Sequence, residues 1–174
     1  LKLDDTPSYP FFPGGTKSVY YAESIYIGYR YFDKKGLMVA YPFGYGLSYS
    51  QFDVKNVVLS TRKLKRHDTL IVNFDIENQS DLDGKETIQI YSTDLGNEIH
   101  KPSQELVAFK KVLVKARKTK TVQIEIPYNR FEFFDCEVDE YRVKQGQYEI
   151  KVGDSSRTFY HTETILIEGD TIEP

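Results

Sequence analysis

The chain has a single cysteine, Cys136, in 174 residues. One thiol excludes an intramolecular disulfide and is compatible with a reducing compartment, a slight lean toward the cytoplasm. No apolar run approaches the ~20 residues needed to span a bilayer, so no transmembrane helix is expected. A net charge of −3 supplies no global field for nucleic acid or an anionic membrane, and neither partner is expected. The first residue is Leu1, with no basic n-region or apolar h-region after it, so there is no signal peptide to read here; the chain looks like a piece of something longer, whose targeting is not legible from these residues. His67, His100 and His161 stand far from one another and from Cys136, whereas structural zinc commonly takes close ligand pairs, so no metal is expected. No Gly-x-Ser-x-Gly elbow occurs, and Gly44-Tyr45-Gly46 lacks the third glycine and the helix of a dinucleotide loop. No cofactor is implied.

What the chain does have is rings near its start. Nine of its 14 tyrosines and five of its 11 phenylalanines lie in the first 52 residues, among Pro7, Pro10, Pro13, Gly14 and Gly15. Three prolines so spaced remove donors and fix φ, which predicts an extended surface strap over residues 1–18. A short strand is expected around Tyr26 to Tyr31, interrupted by Gly28 and closed by a Lys34-Lys35-Gly36 turn. So much contiguous ring surface is costly in water and must be buried against something.

Beyond Phe52 a period of two takes over. Leu70, Val72, Phe74 and Ile76 alternate with polar residues, as do Ile88 and Ile90, then Val122, Ile124 and Ile126, then Tyr148, Ile150 and Val152. Each reads as a strand with one buried and one wet face. Adding 54–59, 106–114 and 159–167 gives about seven short strands, separated by turns at 62–68, 78–84, 94–102, 116–118, 145–146 and 153–156. No amphipathic helix of useful length appears. The expected fold is all-β, an immunoglobulin-like or fibronectin type III-like antiparallel sandwich with an irregular aromatic N-terminal segment. Phe131, Phe133 and Phe134 are expected to plug one end of the core.

Catalysis needs more than charge. Glu132, Asp135, Glu137, Asp139 and Glu140 form the densest acidic cluster, yet their spacing alone sets no pair across a sugar site, and a solvated rim is the plainer reading. The basic runs 62–66 and 110–120 fall at or beside predicted turns and read as solvated loops and blunted edges. The rings of the leader could stack on sugars, but they run too long and too mixed with proline and glycine for a small platform. Packing at an interface is favoured, with Arg30 and Asp33 as its anchoring pair.

The run Tyr21-Ala22-Glu23-Ser24-Ile25-Tyr26-Ile27-Gly28-Tyr29-Arg30-Tyr31-Phe32-Asp33, followed by Tyr41-Pro42-Phe43-Gly44-Tyr45-Gly46-Leu47-Ser48-Tyr49, resembles the C-terminal part of β-glucosidase-type family 3 glycoside hydrolases. Residues 78–84, 88–91, 101–102, 105–106, 109–112 and 146–156 resemble that family's fibronectin type III-like domain. Ser24 and Ala108 stand where the family usually has glycine, and Ala116-Arg117 replaces a common Pro-Gly turn. The resemblance implies a division into an aromatic connector, 1–52, and a sandwich, 53–174. It implies that the catalytic aspartate and the acid/base residue belong to a barrel and an α/β domain outside these residues, so no catalytic residue is expected here. Tyr29, Arg30, Tyr31, Asp33, Phe43 and Tyr45 become candidates for an interface or a substrate rim. The implied partners are the catalytic domains, with self-association through the connector and carbohydrate as further candidates. The competing reading is a free-standing carbohydrate- or protein-binding module.

Overall fold

The computed structural model describes residues 2–96 and 100–171, so the middle of the turn expected at 94–102, residues 97–99, lies outside the described residues. The strands are β1 (Phe52–Leu59), β2 (Lys63–Leu64), β3 (Thr69–Asn78), β4 (Gly84–Asp94), β5 (Glu105–Val114), β6 (Thr119–Pro127), β7 (Phe133–Asp135), β8 (Glu140–Arg142), β9 (Gly146–Gly153) and β10 (Phe159–Ile167). They form a three-stranded sheet, β1-β3-β6, a five-stranded sheet, β2-β10-β9-β4-β5, and a β7-β8 hairpin. Among the described residues the named strands pair antiparallel except for the short β2–β10 contact, and a further parallel bridge joins Lys144 to Asp170. The all-β sandwich expected from the alternation is therefore what forms, its long strands coinciding with the predicted segments.

Register explains the core. Leu70, Val72 and Phe74 of β3 lie opposite Ile126, Ile124 and Val122 of β6. One apolar face results, and it packs on Ile88, Ile90, Ile150, Val152, Ile165 and Ile167 of the other sheet. Burying a side chain of this size stabilises by about 1.5–3 kcal/mol, so a one-residue slip that turned this face outward would be prohibitive. Phe131 is buried in this core, but Phe134 is half-exposed on the β7-β8 hairpin, so only part of the expected aromatic plug exists. The acidic residues 132–140 lie on that hairpin, all exposed except the half-buried Asp135.

Three expectations need correcting. The segment around Tyr26 to Tyr31 is not a strand: Gly28, at φ 57°, turns the chain into a helix, α1 (Tyr29–Lys34), which ends before Gly36, at φ 63°. Six residues make no independently stable helix, so its contacts with the sandwich hold it. The leading strap is not extended but holds two 3-10 turns, Leu3–Asp5 and Tyr9–Phe11, neither with a buried residue. Finally, β4 has no continuous wet face. Residues Ile88 to Ser92 are buried in succession, because residues of the leading segment, Tyr29 and Gly44 among them, cover the outer surface of the five-stranded sheet.

Candidate functional site

Tyr91 and Phe159 lie in β4 and β10, on the sheet face turned away from the core, and their rings meet edge-on at 5.8 Å. Tyr29 of α1 sits over Tyr91, 5.9 Å away and again edge-on. Phe43 then stacks on Tyr29 at 4.9 Å, completing a column of four rings from sheet to surface. The column forms where β4 and β5 fall out of register: Ile90 faces Ala108, while Tyr91 faces Leu106. A bulge interrupts ladder bonding, and here side chains supply partners. The Leu106 amide donates to the Tyr29 hydroxyl at 3.0 Å, and Arg130 Nε donates to the Val107 carbonyl at 3.0 Å.

Buried amides fasten the leading segment further along, at Phe43 and Gly44. Gln89 Nε2 donates to the carbonyls of Gly44 and Asp154, and Gln89 Oε1 accepts from the Tyr91 hydroxyl at 2.6 Å. Gly44 must be glycine: its φ is 82°, and a Cβ there would fall 2.1 Å from Gln89 Oε1. The Ser156 amide donates to the Phe43 carbonyl at 2.8 Å. Gln104 Nε2 donates to the Ser156 carbonyl at 2.6 Å and reaches Asp33 at 3.2 Å.

The charges of α1 find partners on the sandwich rather than on each other. Arg30 pairs with Glu105 at 2.9 Å and Asp33 with Arg157 at 2.8 Å, while Arg157 Nη2 also donates to the Leu37 carbonyl. Asp33 is largely enclosed, so its bond to Arg157 is screened less than a surface pair would be. Upstream, the Tyr26 hydroxyl donates to the Lys101 carbonyl at 3.3 Å. Between α1, the 39–43 loop and Arg157 remains an open apolar groove of about 410 Å³.

Of the six candidates, Tyr29, Arg30, Asp33 and Phe43 meet along this seam. Tyr31 lies behind it, against Phe32, and Tyr45 packs on Tyr41 at the surface. Gln89 and Glu105 escape a sequence reading, since a polar residue on an alternating strand is what a wet face predicts, and Gln104 and Arg157 lie between strands, where no period marks them. The available signal is an aromatic pair, Tyr91 and Phe159, on faces that should be wet. Outside the seam the leading segment stays exposed: Leu47 keeps 82% of its surface, Met38 84% and Tyr49 98%.

Burial, aided by the charges of Asp33 and Asp154, raises the Tyr91 phenol above its ordinary range, and burial with a bond to Asp154 does the same to Tyr160. The fold thus favours the neutral phenols. Their contribution is full below the ordinary phenol pKa and is lost as pH rises beyond it, when the unfolded chain ionises first. Absorbance of tyrosinate against pH should show a late step coincident with unfolding, reduced in Tyr91→Phe. A late step unaltered in that variant would contradict the assignment.

Comparison with known proteins places the architecture. A sequence profile for the fibronectin type III-like domain matches residues 86–156. The GH3 β-glucosidase of Bifidobacterium adolescentis superposes with a TM-score of 0.88 at 32% identity, over 96% of this chain and 24% of that one. β-Glucosidase 3B of Thermotoga neapolitana, solved with glucose, gives 0.85 at 38% identity, over 98% of this chain and 24% of that one. Among curated relatives, an exo-α-(1→6)-L-arabinopyranosidase of Bifidobacterium breve is 37% identical over 170 residues, 98% of this chain and 22% of its own length. The thermostable β-glucosidase B of Acetivibrio thermocellus is 31% identical over 167 residues, 96% of this chain and 22% of its own. The chain therefore spans about a fifth of the length of these curated relatives. It belongs to the fibronectin type III-like C-terminal region of family 3 glycosidases.

Proposed function

We infer that this chain is the non-catalytic module of a β-glucosidase-type family 3 enzyme, acting to stabilise and orient the catalytic domains. Residues 1–52 serve as the connector and 53–174 as the sandwich. Tyr29, Arg30 and Asp33 hold the connector to the sheet, while Tyr31, Phe43 and Tyr45 border the surface offered to the catalytic body.

One observation carries this reading. A folded monomer of 20.2 kDa exposes roughly 8,800 Å², whereas this chain exposes 11111 Å². The excess of roughly 2,300 Å² exceeds the ~800 Å² that one partner contributes to a standard interface. Much of the connector's exposed surface is apolar, from Met38 and Tyr41 through Leu47 to Tyr49. Such a surface calls for a large body to cover it.

The test uses the full-length parent polypeptide. Changing Leu47 and Tyr49 together to serine should lower its thermal midpoint and separate its unfolding into distinct steps; unchanged unfolding would refute the docking role. The parent should turn over an aryl β-glucoside faster than an aryl α-L-arabinopyranoside, and the reverse order would assign it to the arabinopyranosidases. The 174-residue chain alone should hydrolyse neither, and should self-associate in light scattering through the same exposed ridge.

A further inference from the structure

Away from the seam, where β6 runs out at Pro127 and β3 begins at Thr69, an open groove of about 470 Å³ lies between the β2–β3 turn, the 3-10 segment Tyr128–Phe131 and β8. Two rings border it. Tyr141 is 70% exposed and is backed by Phe134 across the hairpin, edge-on at 5.2 Å. Tyr128 is half-buried, its hydroxyl donating to the Glu168 carbonyl at 2.7 Å.

The groove's two guanidinium groups are already matched. Arg66 and Arg142 both bond the carboxylate of Asp170, and Arg142 Nη1 also meets Asp135 at 2.9 Å. The backbone of Asp170 is pinned as well, its amide donating to the Val143 carbonyl at 2.7 Å and its carbonyl accepting from the Gln145 amide at 2.8 Å. Guanidinium groups so neutralised offer no net field to an anion, but they remain rigid, planar donors. Asn129 and Glu132 line the same groove, and their side chains make no hydrogen bond within the described residues. A fixed polar floor, uncommitted amide and carboxylate groups, and tyrosine rings at the border suit a ligand with many hydroxyls and apolar ring faces.

We propose that this groove, formed by Arg66, Tyr128, Asn129, Glu132, Tyr141 and Arg142, is a binding site for a neutral oligosaccharide of pyranose units. Tyr141 supplies the stacking face. Asn129 and Glu132 bond the equatorial hydroxyls, and the Arg66–Asp170–Arg142 chain holds the floor in place. The site is open and shallow, which gives weak, readily reversible binding. The proposal does not depend on the docking role of the connector.

The experiment is a titration of the isotopically labelled 174-residue chain, followed by amide NMR, with cellotetraose, laminaritetraose and xylotetraose separately and with sodium sulfate. Saturable shifts with at least one sugar, centred on Tyr128, Asn129 and Tyr141, are expected, with none from sulfate. Tyr141→Ala should weaken that binding about tenfold, the share expected of one stacked ring. Asn129→Ala should weaken it too and gives a second reading should the first variant fold poorly. No shift with any sugar, shifts centred instead on the connector tyrosines, or saturable sulfate binding in the groove would each overturn the proposal.

Discussion

Replacing Gln89 by leucine is expected to lift residues 41–49 off the five-stranded sheet and to cost about 3 kcal/mol. Leucine is close in volume, so packing is nearly conserved. What is lost is the bonding of a side chain only 3% exposed. Its amide serves the carbonyls of Gly44 and Asp154, and its oxygen accepts the hydroxyl proton of Tyr91. Each group left without a partner in a buried setting costs ~1–3 kcal/mol, so the effect exceeds that of one ordinary hydrogen bond. Tyr91 is enclosed beneath Tyr29, so water reaches its hydroxyl only if the connector moves. Hydrogen exchange should show it: the Ser156 amide, bonded to the Phe43 carbonyl, should exchange much faster than in the unaltered chain. Unchanged protection at Ser156 would mean that Gln89 does not hold the connector.

The second large effect concerns the sandwich itself. Asn78 is fully buried at the end of β3, where its amide donates to the Leu82 carbonyl at 2.8 Å and the Val114 carbonyl at 3.1 Å, and its oxygen accepts from the Ser80 amide at 2.9 Å. One side chain thereby closes the 79–83 turn and ties it to the end of β5. Asn78→Ala should destabilise the chain by about 3 kcal/mol in urea unfolding, since three backbone groups lose their partner at once. Asp75→Ala, at a position bonded to Asn56 and Thr121 in solvent, should cost under ~0.5 kcal/mol. Similar midpoints for the two variants would remove Asn78 from its keystone role.

The two variants also separate what could be read from residues alone from what could not. Asn78 opens a turn that the alternation on either side marks out, and only its triple bonding needed coordinates. Gln89 is different. Between Ile88 and Ile90 it has the spacing of a solvent-facing residue, and nothing nearby says that another segment will cover it. The same gap explains the misread helix. Tyr26 to Tyr31 is rich in residues that favour strands, but a six-residue segment follows its tertiary contacts rather than its propensity. Here Tyr29 fills the bulge at Leu106, Arg30 meets Glu105 and Asp33 meets Arg157, a set of contacts that the turn at Gly28 brings within reach. The anchoring role expected of Arg30 and Asp33 has its partners on separate elements, more than 70 residues away along the chain.

The amino-acid sequence by itself determined the sandwich, because period-two burial is a local property that each strand carries in its own residues. It also determined that the first 52 residues hold more ring surface than they can bury among themselves. Only the tertiary structure decided which rings turn inward, since that depends on a sheet bulge, on two buried glutamines and on a glycine that lets the backbone pass over one of them. Those features are set by segments distant in the chain meeting at one face, and no local period encodes such a meeting.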